Sequence, residues 1–430
     1  MSPEGARPKR LALGGPAPYT RDMSQYGDLF KELDALIQDR SESIRGMRRY
    51  LHAHPEPSGH ELRTTTYIAD QLEQLGLDYR LGPEGRGLVV DIPGASVEAG
   101  RVVAIRADID ALRLQDEKTV SYRSRENNLM HACGHDAHTA MAFGAIAALA
   151  TLAASPDALG EDFSWRCIFQ PAEESATGAR EMIDWRALEG VEAIIALHVD
   201  PTLHAGQVGY REGALTACCE EFEILVEGLG GHGARPHTTF DPIAAATQIV
   251  QSVYAVLPRS FDSRDPLVVS FGVIQGGINP NVIPESVQLR GTIRSTGDDL
   301  ARQARQRIRE VVDGVAQAFQ VRASFSIAYS LPPVLNDPRM IRLCREASSP
   351  LVGEEGLIQV EKPSMGGEDF AWYLRECPGC MLRLGVGTPL KPVRHLHSSC
   401  FDVNEAALPI GAGVLARCAL HIAADLAGTS

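Results

Sequence analysis

The chain has 430 residues, of which 44% are hydrophobic, 22% charged and 6% aromatic, a soluble globular composition that excludes collagen-like, disordered and disulfide-scaffold classes. Its 41 Lys and Arg against 55 Asp and Glu leave a net charge of −14 with no block of like charge, which argues against nucleic acid or an anionic membrane as a partner. Nine irregularly spaced cysteines argue against a disulfide framework and for a reducing, cytoplasmic compartment.

Residues 1–25 carry basic side chains, but their apolar part is broken by Gly14, Gly15, Pro16 and Pro18; this is not a signal-peptide core, and a flexible tail is expected. Helical periodicity over 28–54, and again in RTTTYIADQLEQLG, predicts amphipathic surface helices. Short β-branched runs follow near Val89, from Arg101, from Trp165 and from Glu192, with helix-like sequence between them. Strands alternating with helices predict an α/β sheet covered on both faces. The uncharged run Thr139 to Pro156 would span only about 25 Å as a helix and reads as a small-residue core helix rather than a membrane span.

Around Gly213 the rhythm changes. EFEILVEGLG, DPIAAATQIVQSVYAVL, PLVVSFGVIQGG, SVQLRGTIRS, DDLARQARQRIREVVDGVAQAF and VRASFSIAYS read in order as βαββαβ, a ferredoxin-like plan. Residues 214–329 are therefore expected to be an inserted small domain, with 26–213 and 330–430 forming one discontinuous α/β domain. In the returning part a helix is expected near Met340, a second from Glu368 to Leu374, a strand at MLRLGVG and a last Ala-rich helix to about Leu426.

The densest set of metal-capable side chains is MHACGHDAH, where His131, Cys133, His135, Asp136 and His138 fall within eight positions. Thiolate and neutral imidazole both suit zinc-like ions, and alternate positions on an extended loop point the same way. The competing reading is a helix start capped by Asp136 with incidental histidines. Further candidates lie at predicted strand ends: Asp108 and Asp110, the adjacent Glu173 and Glu174, His198 and Asp200, and later His395 and His397. Neighbouring carboxylates point to different sides, so one can ligate while the other moves protons. Cys377 and Cys380 form a C-x-x-C without a thioredoxin-like context, Cys218 and Cys219 read as packing residues, and GLGGHG is not followed by the helix start a dinucleotide fingerprint needs.

The runs RRYLHAHPEPSGHE, AIRADIDAL, MHACGHDAH, FQPAEES, ALHVDP, GLGGHGARPH, NVIPESVQLRGTIR, GGEDFAWYL and LHSSCFDVNE, in this order, resemble the di-metal amidohydrolases and exopeptidases that include aminoacylases, hippurate hydrolases, auxin-conjugate hydrolases and carboxypeptidase-G-like enzymes. The resemblance is to the branch with Cys in the metal loop, and it implies a mixed-sheet α/β hydrolase domain carrying the inserted small domain. By the same resemblance Cys133 bridges two divalent ions, zinc or manganese, completed by His135, Glu174, His198 and His397. Glu173 matches the general acid/base, and Asp110 the residue that orients a ligating histidine. His232 matches a residue that reaches a substrate oxygen, in related dimers across the subunit boundary. Asn281 and Arg294 match residues that hold a substrate carboxylate.

The implied activity is hydrolysis of N-acyl amino acids or related small conjugates by a homodimer or higher oligomer. Dipeptidase or carboxypeptidase activity is the alternative among enzymes. A metal-bound binding protein is the alternative outside them, and such a protein should have lost Glu173 or a ligand. Two departures, RLQDEK after RADIDAL and no glycine before Met130, bear on substrate range more than on catalysis.

Overall fold

The computed structural model describes residues 26–92, 102–154, 164–387 and 393–428; the expected tail at 1–25 and the end of the uncharged run at Pro156 lie outside them. The helical stretch near the start is two helices, α1 (Gly27–Asp39) and α2 (Ser41–Ala53), followed by α3 (Leu62–Gln74). The break falls at Arg40, whose backbone leaves helical geometry (φ −94°, ψ 2°) and whose guanidinium returns to the Leu36 carbonyl at 3.0 Å. Each helix buries one apolar stripe: Phe30, Leu33 and Ile37, then Ile44, Met47 and Leu51, then Ile68 and Leu72.

Next come β1 (Tyr79–Leu81), β2 (Leu88–Ile92), β3 (Val102–Asp108), α4 (His135–Ala153), β4 (Ser164–Gln170), α5 (Gly178–Asp184), β5 (Val191–His204) and β6 (Val208–Tyr210). All four strands read from the sequence are present; three-residue β1 and β6 are too short to show a period. β3 is buried at every position. Val103 and Ile105 enter one hydrophobic cluster and Ala104 another, because alternate residues face opposite sides of a doubly covered sheet. The uncharged run forms α4, and 83% of its apolar window is buried inside the protein, as a core helix requires. A Cβ on Gly144 would lie 2.5 Å from Ile44 Cδ1, so glycine here lets α2 approach closely.

The chain then passes through β7 (Gly213–Ala214) into β8 (Cys218–Glu227), β9 (Gly231–His232), α6 (Pro242–Ser260), β10 (Leu267–Gln275), β11 (Val282–Ile283), β12 (Ser286–Ser295), α7 (Asp298–Phe319) and β13 (Arg322–Leu331). The four long strands form an antiparallel sheet ordered β10-β12-β8-β13. Phe222, Ile224, Ile249, Val253, Ile308 and Val312 join this sheet to α6 and α7 in a core of its own. The Asp241 side chain caps α6 by accepting from the Ile243 and Ala244 amides, and Pro242 supplies its first residue. The chain returns through β14 (Leu335–Asn336), which pairs antiparallel with β7, so the outgoing and returning strands run side by side.

The rest completes the large sheet: α8 (Pro338–Val352), β15 (Leu357–Gln359), α9 (Tyr373–Glu376), β16 (Gly379–Gly387) and α10 (Ala407–Ala427). The helix expected from Glu368 is a 3-10 turn, Asp369–Trp372, running into α9. The large sheet has the order β1-β2-β4-β3-β5-β16-β6-β15. Parallel pairing of β3 with β4 and β5, of β5 with β16 and of β6 with β15 mixes with antiparallel pairs at β1-β2, β2-β4 and β6-β16. The molecule is thus a mixed α/β sheet with an inserted βαββαβ unit.

Candidate metal centre

The loop ahead of α4 turns on Gly134, at φ +90°, where a Cβ would come 2.4 Å from Val199 Cγ2. Gly134, not Asp136, is the residue before the first helical turn, and no side chain caps it. The turn presents Cys133 and His135 to β5 and to the loop after β4. Cys133 Sγ lies 3.6 Å from His198 Nε2 and 3.4 Å from His397 Nε2. His397 Nε2 is 3.4 Å, and His135 Nε2 3.9 Å, from Glu174 Oε1. Cys133 therefore belongs to two ligand-capable groups, one with His135 and His198 and one with Glu174 and His397.

Hydrogen bonds aim these donors. His198 Nδ1 donates to the Val199 carbonyl at 2.8 Å, turning Nε2 toward Cys133. His135 Nδ1 is held by the Asp110 carbonyl (2.9 Å) and carboxylate (3.1 Å). Asp110 also accepts from Ser58 Oγ (2.6 Å) and the Glu174 amide (3.0 Å), so one buried carboxylate fixes both a histidine and the glutamate loop. The His397 amide donates to the Ala132 carbonyl, tying that segment to the loop.

His135 Nε2 and Glu174 Oε1 are buried with no hydrogen-bond partner among the described residues. Two unpartnered buried atoms of this kind, beside a thiol and two more imidazoles, form the donor set a bound cation satisfies.

Of the other side chains of the motif, His138 and Asp136 are committed elsewhere, while both ring nitrogens of His131 are buried without a hydrogen-bond partner among the described residues. His138 Nδ1 pairs with Asp108 at 2.6 Å and its Nε2 accepts from the Val199 amide at 2.9 Å. Asp136 accepts from Arg48 Nε (2.8 Å) and His52 Nδ1 (2.7 Å). Burial holds the His131 imidazole down to about 3, so it is neutral. Asp200 closes a turn onto Thr202, and His395 is exposed.

Electrostatics distinguish Glu173. Burial, then the neighbouring Glu368, Asp369 and Glu174 carboxylates, push it well above the usual carboxylate range. Burial opposes charge on His135, but Asp108, Asp110 and Cys133 outweigh it and raise the imidazole, so the local field favours positive charge. Burial followed by Arg383 and His138 keeps His198 neutral.

Cys133, Glu173, Glu174, His198 and His397 line a cavity of ≈ 550 Å³ between the two sheets, shared with Arg294, Tyr329 and Glu368. Arg294 Nη1 donates to the Met365 carbonyl (2.6 Å) and to Cys219 Sγ (3.1 Å). Cys219, expected to be a packing residue, thus lines the cavity and positions a cation. His232 and Asn281 are not in it. His232 sits exposed on β9, paired with Val282 of β11, and the Gly233 amide donates to the Asn281 carbonyl at 2.8 Å. The structure therefore brings His232 to Asn281 but brings neither to Arg294 in the same chain. Asn281 precedes β12 and Arg294 is near that strand's far end, eight residues beyond Ser286, a rise of about 27 Å. The C-x-x-C thiols face apart, Cys377 toward the Tyr373 carbonyl and Cys380 toward Cys344.

The sequence reading missed Ser58, Glu368 and Arg383. Glu368 stands in the quoted run GGEDFAWYL, and Arg383 interrupts the apolar strand MLRLGVG; a charge inside an otherwise buried strand was the available signal.

The profile of peptidase family M20/M25/M40 matches residues 104–421. The chain belongs to this family. It is 37% identical over 378 residues to an N-acetylcysteine deacetylase of Bacillus subtilis, covering 87% of this chain and 96% of that one. It is 34% identical over 390 residues to an IAA-amino acid hydrolase of Arabidopsis thaliana, covering 89% and 86%. Its fold is similar to that of a Bacillus subtilis dinuclear metal-binding peptidase of the M20 family, with a TM-score of 0.76, 34% identity and coverage of 89% and 98%. As an M20 member the chain is a metal-dependent hydrolase of amide or peptide bonds.

Proposed function

We propose that this M20 protein hydrolyses the amide of N-acyl amino acids or related small conjugates at a centre of two divalent ions. The observation that carries this reading is the five-donor cluster in which Cys133 is common to two groups, with the raised Glu173 beside it. The relatives' names, a deacetylase of an acylated amino acid and a hydrolase of an amino acid conjugate, point to the same substrate class. Cys133, His135, Glu174, His198 and His397 would hold the ions. The thiolate favours zinc, while the carboxylate also suits manganese. Two such ions act as Lewis acids that lower the pKa of water and polarise a carbonyl.

Glu173 takes the proton of the attacking water and delivers it to the amide nitrogen, which cannot leave as an anion. Asp110 holds the His135 ring in register through Nδ1. Arg294, fixed by Met365 and Cys219, presents its remaining N–H groups to the substrate carboxylate. His232 accepts from the Ala234 amide through Nδ1, leaving Nε2 to donate to a developing oxyanion. Because it lies outside the cavity of its own chain, it acts from a second copy, with Asn281 beside it. The chain is accordingly a homodimer or a multiple of one, joined through the small domain. Nine free thiols fit a cytoplasmic setting.

The deciding experiment assays metal-loaded protein on N-acetyl, N-benzoyl and indole-acetyl amino acids beside dipeptides. Turnover of the acyl amino acids, lost together with metal in Cys133→Ala, is expected; bound metal with no amide turnover would overturn the reading. Mixing His232→Ala with Glu173→Gln chains should restore activity through the one intact site of each heterodimer. Verified heterodimers without activity would reject the cross-subunit role of His232.

A further inference from the structure

Arg383 lies in the middle of β16, flanked by buried Leu382 and Leu384. Its register pairs it with His198 on β5 and with Gly209 on β6, and paired residues on neighbouring strands project from the same face. A Cβ on Gly209 would lie 3.0 Å from Arg383 Cβ, so the glycine leaves room beside the arginine stem. The side chain lines the same cavity as Cys133, Glu173 and Arg294.

A half-buried guanidinium in a strand of this kind is costly unless something answers its charge. Arg48, Arg106, Arg166 and Arg417 are each held by a carboxylate. Among the described residues the Arg383 guanidinium has no hydrogen bond and no carboxylate within 4.0 Å, although Glu173, Glu174 and Glu368 line the same cavity. Those acids are occupied with the metal cluster and with Arg106. The cavity thus carries two guanidinium groups on opposite walls: Arg294 on the small sheet, braced by protein contacts, and Arg383 on the large sheet, with its N–H groups unclaimed.

We propose that Arg383 is a specificity-determining residue that binds a second carboxylate of the substrate, so that the amidohydrolase, on the reading above, selects dianionic conjugates. One carboxylate, beside the scissile amide, goes to Arg294 and the other to Arg383. The second carboxylate comes either from an acidic amino acid or from a dicarboxylic acyl group, and both share the chemistry that a guanidinium recognises.

Two pairs of isosteric substrates test this and separate the sources: N-acetylglutamate against N-acetylglutamine, and N-succinylleucine against its succinamoyl half-amide. The metal-loaded enzyme should prefer the dianionic member of at least one pair by about 10- to 100-fold in kcat/KM, the worth of one charged hydrogen-bonded contact. Arg383→Gln should bring that ratio close to one, and Arg383→Lys should keep part of it. Equal rates within both pairs, or an Arg383→Gln loss shared equally by both members, would overturn the proposal. Calorimetric binding of glutarate against its half-amide gives a readout independent of turnover. An Arg383-dependent preference for glutarate in a protein that cleaves no amide would leave this assignment standing while the hydrolase reading fell. Amide turnover without any dianion preference would do the reverse.

Discussion

Two buried charged clusters draw on the same nine residues, Met130 to His138, and arrange their polar atoms differently. Around Asp136, Arg48 reaches Asp136 (2.8 Å) and Asp402 (2.7 Å), His52 bridges Asp136 (2.7 Å) and Lys118 (2.8 Å), and Lys118 donates to the Phe401 carbonyl (2.9 Å). Each of these side chains is paired, although Asp136 Oδ1 is buried without a hydrogen-bond partner among the described residues. Around Cys133 the atoms that face one another, His135 Nε2 and Glu174 Oε1, have none. Burial and charge are alike in the two places, so neither marks function. What separates them is pairing against convergence: around Asp136 opposite charges close onto one another and hold the fold, whereas around Cys133 several donor atoms converge within 4.8 Å without closing onto one another, as a ligand site requires.

The largest expected effect tests the open cluster. Glu173→Gln keeps the shape of the side chain but cannot accept a proton, so turnover should fall by about three powers of ten or more. Metal content by elemental analysis and the melting temperature should stay as in the parent. A variant that lost its metal instead would make Glu173 a ligand and remove the distinction between the two adjacent glutamates.

The closed cluster predicts the opposite pattern. Arg48 is fully buried among Asp136, Asp402 and Glu405, and Arg48→Met strands those carboxylates. Urea unfolding should show a loss of about 3–5 kcal/mol, the cost of breaking a buried pair from one side. The fraction that remains folded should still bind metal. Loss of metal at unchanged stability would show that the two clusters are one.

Much of this was legible in the sequence, and the rest failed for identifiable reasons. The alternation of strands and helices and the βαββαβ insertion are local patterns, and both were readable. The crowding of Cys133 and His135 into one loop was equally plain. Which histidine of MHACGHDAH is free to ligate was not readable from the residues alone, because His138 is satisfied by Asp108 and Val199, far away in the chain. Asn281 and Arg294, close in sequence, are held apart because β12 carries Arg294 to its far end. The role of the departing segment RLQDEK also needed three dimensions: its Asp116 and Lys118 are buried against His52 in the closed cluster.

That segment gives a smaller, pH-dependent test. Asp116 is buried; burial works against its charge, but His52, the Ser124 and Lys118 amides and the Lys118 ammonium overcome it and hold the carboxyl well below the usual range. A depressed folded pKa means that the unfolded chain binds the proton more tightly. The stabilisation is therefore complete above the unfolded value of about 3.9 and is lost as pH falls from there through the folded value. Asp116→Asn should cost about 2 kcal/mol at pH 7. The gap between variant and parent should close in unfolding experiments below about pH 4. A gap constant from pH 7 to pH 3 would show that the carboxylate charge plays no part.

The smallest effect should come from His397, and it sharpens the comparison most. Its backbone sits in the left-handed region at φ +60°, a conformation that costs an L-residue about 1 kcal/mol. Its side chain is 54% exposed and, among the described residues, its polar contacts are to Cys133 and Glu174 of the open cluster. His397→Gly relieves the backbone but loosens the unfolded chain by a comparable amount, so the metal-free protein should unfold within about 1 kcal/mol of the parent. Metal should then stabilise the variant much less than the parent, because the rise in Tm follows the ratio of free metal to Kd and one ligand is gone. Thermal melting with and without added zinc reads both quantities in one experiment. A metal-free variant destabilised by as much as Arg48→Met would mean that His397 belongs to the closed kind of cluster. A metal-induced rise equal to the parent's would mean that it is not a ligand at all.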